Sequence, residues 1–230
     1  MLSNFATTHR RGFLGGMAAA ALGAGLPWND LRAEETPSPQ QDDKDAWLGK
    51  LTGKHRCFFD FPEHAGGLPL LHMYNYINTY AQAYGTKPGE VNAVGSLYFL
   101  GPTSSLPLAF NDAMWAKYKI GELLKLTDPK TGKPSARNMY YRPQTGDPVL
   151  FNGAFAVASI ENLQKMGGLF LMCNNAFGLY VGQLAQAGMG TADAIEKELR
   201  ANLLPGVVTV PAMVIAIEKA QSNGIAYNKQ

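Results

Sequence analysis

Little in this chain of 230 residues points to a common enzyme class. It has only two cysteines, Cys57 and Cys173, which excludes a disulfide-rich scaffold and a cysteine-built structural zinc site. It has four histidines, and their spacing matches no closed metal site. No glycine-rich segment forms a phosphate- or dinucleotide-binding signature. No serine-nucleophile motif is present, and no carboxylate pairing stands out. Charge of one sign is also lacking. Twenty basic residues face eighteen acidic ones. If residues 1–33 are removed, Arg10, Arg11, Arg32 and Asp30 go with them, leaving seventeen of each sign. A neutral chain with no basic run gives no electrostatic case for nucleic acid or for an anionic membrane surface.

What is present begins with Thr8-His9-Arg10-Arg11-Gly12-Phe13-Leu14, a twin-arginine pattern, followed by the small-residue apolar segment 15–26. Residues 1–33 read as a twin-arginine export signal, with an expected periplasmic location and the export machinery as a partner. The apolar segment is too short to span a bilayer, so no stable membrane insertion is expected after cleavage. Residues 34–46 are rich in Pro, Gln, Ser and acid and read as a disordered linker. Residues 47–230 then form a single domain of about 185 residues, long enough for a sizeable core.

Within it, hydrophobic patterning alternates between short apolar runs and helical periodicity. His55–Phe61 reads as a strand, Leu68–Tyr84 as a helix and Val91–Phe99 as a strand. Leu108–Leu126 reads as one long helix, and Gly153–Met166 as another. Leu169–Met172 is a continuous apolar run, as expected of a strand buried on both faces. Further helices are expected at Ala176–Leu184, at Ala192–Asn202 behind a Thr191 cap, and at Ala212–Ser222 with Pro211 in its first turn. Val207–Val210 and Ile225–Tyr227 complete five strands. The alternation predicts a three-layer α/β/α domain on a mainly parallel sheet.

Residues 127–150 break the pattern. A polar loop this long inside a compact domain covers or binds something, or else is a surface excursion or an oligomer contact. Tyr140, Tyr141 and Arg142 are its candidate lid residues.

The chemistry-bearing stretch is Leu169–Ala176. Cys173 ends a predicted strand and precedes a helix N-terminus. In open α/β sheets ligands bind at that edge, and the helix N-terminus favours thiolate over thiol. The alternative is a buried, inert cysteine. Asn174 and Asn175 either stabilise a sulfur anion or, for Asn175, cap the helix. Gly66 and Gly67, beside His64, form a strand-to-helix loop able to hold an anion. His64 and His72, with Met172 and Cys173, would be a candidate soft copper or zinc site. A Cys57–Cys173 disulfide is a further possibility in an oxidising compartment. No metal or cofactor is assigned.

Several segments together resemble the DsrE/DsrF-like sulfur-relay family. They are Ile160-Glu161-Asn162-Leu163-Gln164-Lys165-Met166-Gly167, Phe170-Leu171-Met172-Cys173-Asn174-Asn175-Ala176, Leu203-Leu204-Pro205-Gly206-Val207-Val208-Thr209-Val210-Pro211-Ala212, and Gln221-Ser222-Asn223-Gly224-Ile225-Ala226-Tyr227. The likeness is good over 153–228, looser over 55–126 and absent over 127–150. The resemblance implies a parallel five-stranded sheet between helices and assembly as a homo-trimer or hexamer. It also implies that Cys173 carries sulfur as a persulfide, exchanged with a small sulfur compound or a partner thiol protein. The different expectation is a non-catalytic oligomeric module that holds a small ligand or a metal.

Overall fold

The structure is a computed structural model and describes residues 44–230. The expected export signal and most of the linker lie outside the described residues. Packed structure starts at Trp47, which is buried against the sheet.

Five strands form one parallel sheet: β1 (His55–Asp60), β2 (Val91–Leu97), β3 (Gly168–Cys173), β4 (Val207–Val210) and β5 (Ala226–Lys229). Their order across the sheet is β4-β3-β2-β1-β5. Seven helices connect them: α1 (Leu68–Tyr84), α2 (Asp112–Lys117), α3 (Ile120–Leu123), α4 (Ile160–Lys165), α5 (Asn174–Gln186), α6 (Ala192–Ala201) and α7 (Met213–Ser222). The expected three-layer α/β/α architecture is the one observed.

The topology decides which face each helix covers. From β1 to β4 every connection steps one way, and the β4–β5 connection returns past the whole sheet. Crossovers between parallel strands are right-handed, so the returning helix lies on the opposite face. Accordingly α1, α2, α4, α5 and α6 bury their apolar stripes with Cys57, Phe59, Phe170 and Met172. Among the described residues only α7 and the Trp47–Leu51 segment cover the other side, where Phe58, Val94, Leu169, Leu171 and Cys173 point. The central strands are buried on both faces, which is why β3 reads as an unbroken apolar run. At Gly95 the missing side chain makes room for a ring: a Cβ there would lie 2.9 Å from Phe170.

Several element boundaries differ from expectation by a residue or two, among them α5, which starts at Asn174 rather than Ala176, and three regions differ in ways that shape the fold. The region 108–126 is not one helix. Phe110 is extended, Asn111 caps α2 by accepting from the Met114 N–H at 3.2 Å, and Lys119 takes a left-handed φ of 51° that separates α2 from α3. The region 153–166 is not one helix but a 3-10 turn, Ala156–Ala158, followed by α4, which starts behind Ser159, whose hydroxyl accepts from the Asn162 N–H. Before it, Leu150, Phe151, Asn152 and Gly153 all have positive φ and reverse the chain. Finally, α7 starts one residue later than expected, so Pro211 precedes its cap residue, Ala212.

The 127–150 segment is packed rather than open. Met139, Tyr140, Val149 and Leu150 are core residues. Asp147, fully buried, is held by the Arg137 guanidinium and by the Gln144 N–H at 2.7 Å. A buried carboxylate requires this pairing.

Candidate functional site

Cys173 is the last residue of β3 and the N-cap of α5. Its sulfur accepts the Ala176 N–H at 3.5 Å, the bond a cap side chain makes to the third helical residue. It also accepts the Met213 N–H at 3.4 Å, from the first residue of α7. Two helices therefore direct free N–H groups and the positive ends of their dipoles at one sulfur. The second donor arises because Cys173 pairs in register with Val210, and the chain turns from Val210 straight into α7.

Cys173 is only 5 % exposed. Beside it a groove of about 400 Å³ is bounded by Trp47, Lys44, Lys50, Asn174, Val210 and Pro211. Lys44 and Lys50 both line it and form no ion pair among the described residues. Asn174 is fixed by the Arg200 guanidinium, which donates to its Oδ1 at 2.7 Å. Asn175 is exposed and is not the helix cap; Cys173 holds that position.

The other expected site residues form a separate cluster. Gly66 and Gly67 have φ of 63° and 94°, a left-handed turn open to glycine at low cost. The Leu150 N–H donates to the Gly66 carbonyl at 2.7 Å, and the Leu150 side chain occupies the place of a Gly67 Cβ. The Tyr140 hydroxyl donates to His64 Nδ1 at 2.6 Å, which also accepts the Gly66 N–H. That leaves His64 Nε2 to carry the proton toward the Pro102 carbonyl at 3.4 Å. Burial holds the His64 pKa below the ordinary value, with the Pro102 carbonyl and the Glu63 charge opposing it.

Tyr140 is fully buried and therefore part of the core, not a lid. Arg142 lies over the Tyr141 ring and donates to Glu161 at 2.6 and 3.0 Å, so both residues are anchored to α4. This cluster belongs to the α1 side of the sheet, and Cys173 to the α7 side. The structure thus brings His64, Gly66, Gly67 and Tyr140 together, but not with Cys173.

Neither the disulfide nor the soft-metal set is formed. Both cysteines are free, and their side chains point to opposite faces of the sheet. Burial pushes the Cys57 thiol up to about 11. Met172 and Cys173 likewise face opposite ways, and His72 is hydrogen-bonded to the Gln230 side chain. Among the described residues no group of three or more His, Cys, Asp and Glu side chains is arranged to hold a metal. No described helix is long and apolar enough to cross a membrane.

Residue-level reading of the sequence missed a polar row at the same sheet edge. Asp60, buried at the end of β1, accepts from Tyr227 OH at 2.7 Å and from Ser96 Oγ at 3.2 Å. Tyr98 lies against the same carboxylate; burial first, then Asp60 and the nearby Cys173, raise its pKa. An acid ending an apolar strand was the available signal, since a buried carboxylate needs donors.

Comparison of the chain with protein-family models, with curated proteins and with solved structures finds no match in any of the three.

Proposed function

We propose that this chain is an exported DsrE/DsrF-like protein that carries sulfur on Cys173, working as a homo-oligomer. One observation carries the reading: the Cys173 sulfur receives an N–H from the starts of both α5 and α7, at the carboxyl end of a central parallel strand. Two donors and two helix dipoles stabilise an anionic sulfur, and the thiolate is the nucleophile in sulfur exchange. The three-layer fold agrees with what the sequence resemblance implies.

In the proposed reaction a small donor enters through the Lys44/Lys50 groove and presents an outer sulfane sulfur. The Cys173 thiolate attacks that sulfur, and a new S–S bond forms. The donor's own S–S bond breaks, and its electron pair leaves with the donor thiolate. Cys173 then holds a persulfide, which an acceptor thiolate takes by the same displacement in reverse. No electrons enter or leave the system.

The other expectation, a ligand held under the 127–150 segment, has less support, because Met139, Tyr140 and Leu150 of that segment are core residues. The test is mass spectrometry after incubation with a low-molecular-weight persulfide. The native chain gains the mass of one sulfur on the Cys173 peptide, and Cys173→Ser gains none. An adduct absent from the native chain, or retained in Cys173→Ser, refutes the proposal.

A further inference from the structure

The sheet ends in two edge strands, β5 on one side and β4 on the other, and they differ. The β5 edge is exposed along its length and closes on Asn228 and Lys229. The β4 edge reads Val207-Val208-Thr209-Val210 and carries neither a charge nor a proline, the usual devices that block an edge. In a parallel pair, alternate residues turn their N–H and C=O toward the neighbour, and the others turn them away. Part of the β4 main chain therefore faces outward. Among the described residues no group outside the β3–β4 ladder bonds to the amides of Val208, Thr209 or Val210.

Two grooves follow this edge. The one beside Cys173 is lined by the consecutive residues Val208, Thr209, Val210 and Pro211. Successive side chains of a strand point to opposite faces, so a single groove that touches three in a row meets the strand at its rim, where the main chain lies. The second groove, of about 490 Å³, is lined by Pro205 and Gly206, just before β4, and by Gly168 and Leu169 at the start of β3. Lys50 lines both, so the two adjoin. The charged residues along their walls are Lys44, Lys50, Lys165 and Glu161. Glu161 is already engaged by Arg142 and Lys165, which leaves the described walls with an excess of basic groups.

We infer that the β4 edge binds an extended, acidic segment of a partner protein, which adds to the sheet as a sixth strand. Main-chain hydrogen bonds to the outward groups of β4 hold it, and its acidic side chains face Lys44 and Lys50. A second copy of this chain fits less well. Pairing two β4 edges brings the same lysines to one seam, and β5 offers Lys229 and no acid. Strand addition requires nothing of the sulfur chemistry. Where that chemistry operates as proposed, the docked partner lies beside it, because Val210 pairs in register with Cys173.

The test uses the full chain, isotope-labelled for NMR, and a blocked peptide of about seven residues that alternates glutamate and valine, long enough at about 3.3 Å per residue to span the edge from Pro205 to Pro211. The peptide is expected to shift the Val208 and Thr209 amides and to slow solvent exchange of at least one amide among Val208, Thr209 and Val210. A lysine-for-glutamate version should bind about tenfold more weakly or worse at low salt. Methylating alternate peptide nitrogens along one edge should abolish binding, and methylating the other edge should not, since an added strand pairs through one edge only. No shift at Val208 and Thr209, equal binding of the acidic and basic peptides, or equal binding of the two methylated peptides overturns the inference. So does slow exchange at all three amides before peptide is added, which shows the edge already covered, by a second copy if the mass is doubled and by the chain's own residues if not. The peptide carries no sulfur and is tested on Cys173→Ser as well, so its binding and the persulfide assay fail or succeed separately.

Discussion

The two faces of the sheet are built to different depths. On one side α1, α2, α4, α5 and α6 bury Phe59, Phe170 and Met172 under a continuous core that includes Trp115, Tyr140 and Phe177. On the other, among the described residues, α7 and the Trp47 segment alone cover Phe58, Leu171 and Cys173. The outer side of α7 leaves Val214 73 % exposed and Ile215 48 % exposed. The thickly covered face supplies stability, and burial there pushes its thiol, Cys57, up to about 11. The thinly covered face holds Cys173 at the end of β3, where the starts of α5 and α7 both donate to its sulfur. One sheet thus gives two cysteines opposite environments through the direction each side chain points.

Adjacent residues on β1 test the difference in depth most strongly. Phe58 and Phe59 are both buried, on opposite faces. Phe59→Ala is expected to cost about 5 kcal/mol and Phe58→Ala about 3 kcal/mol, because a single covering helix settles into the gap more readily. Denaturant unfolding measures both, and equal costs would mean that α7 packs as rigidly as the helices opposite.

A smaller effect follows from overfilling the thick side. A side chain at residue 95 meets the Phe170 ring at 2.9 Å and the Met73 sulfur at 3.0 Å. Gly95→Val should therefore cost about 1–3 kcal/mol. An unchanged unfolding midpoint would show slack in that core.

The seam where 127–150 meets the start of α1 is expected to respond to pH through His64. The folded-state pKa of His64 is lowered below its unfolded value, so the unfolded chain binds the extra proton first. His64's contribution is complete above about pH 6.5 and falls as the pH drops through and below that value. Unfolding free energies measured from pH 7.5 to 5 should decline, and His64→Asn should flatten that part of the decline. An equally steep profile in His64→Asn would assign the pH dependence elsewhere.

The smallest effect is expected outside α7. Val214→Ser should change stability by no more than about 0.5 kcal/mol at low protein concentration. A larger loss that grows with protein concentration would show that a second copy covers this face.

The sequence carried the fold in its periodicities. Leu169–Met172 is apolar throughout because both faces of β3 are buried, and Leu68–Tyr84 has an apolar stripe because one side of α1 is. Thr191 marked the start of α6, and its hydroxyl does accept the Ala194 N–H. The breaks were harder to read. Apolar spacing continues from Leu106 to Leu126 across the extended Phe110 and the left-handed Lys119, and only the caps Asn111 and Ser159 mark where α2 and α4 begin. The 127–150 segment looked polar because Arg137 and Asp147 neutralise each other in space, which no periodicity records. Cys173 could be placed at a strand end before a helix from local sequence. Its second donor, Met213, lies forty residues away and becomes visible only once β3 and β4 pair.

The most direct measurement of the central claim is peptide mapping after brief treatment of the native protein with iodoacetamide at neutral pH. Modification at Cys173, with Cys57 spared until the chain unfolds, is the predicted result. A Cys173 that stays unmodified until unfolding, as Cys57 does, would contradict it.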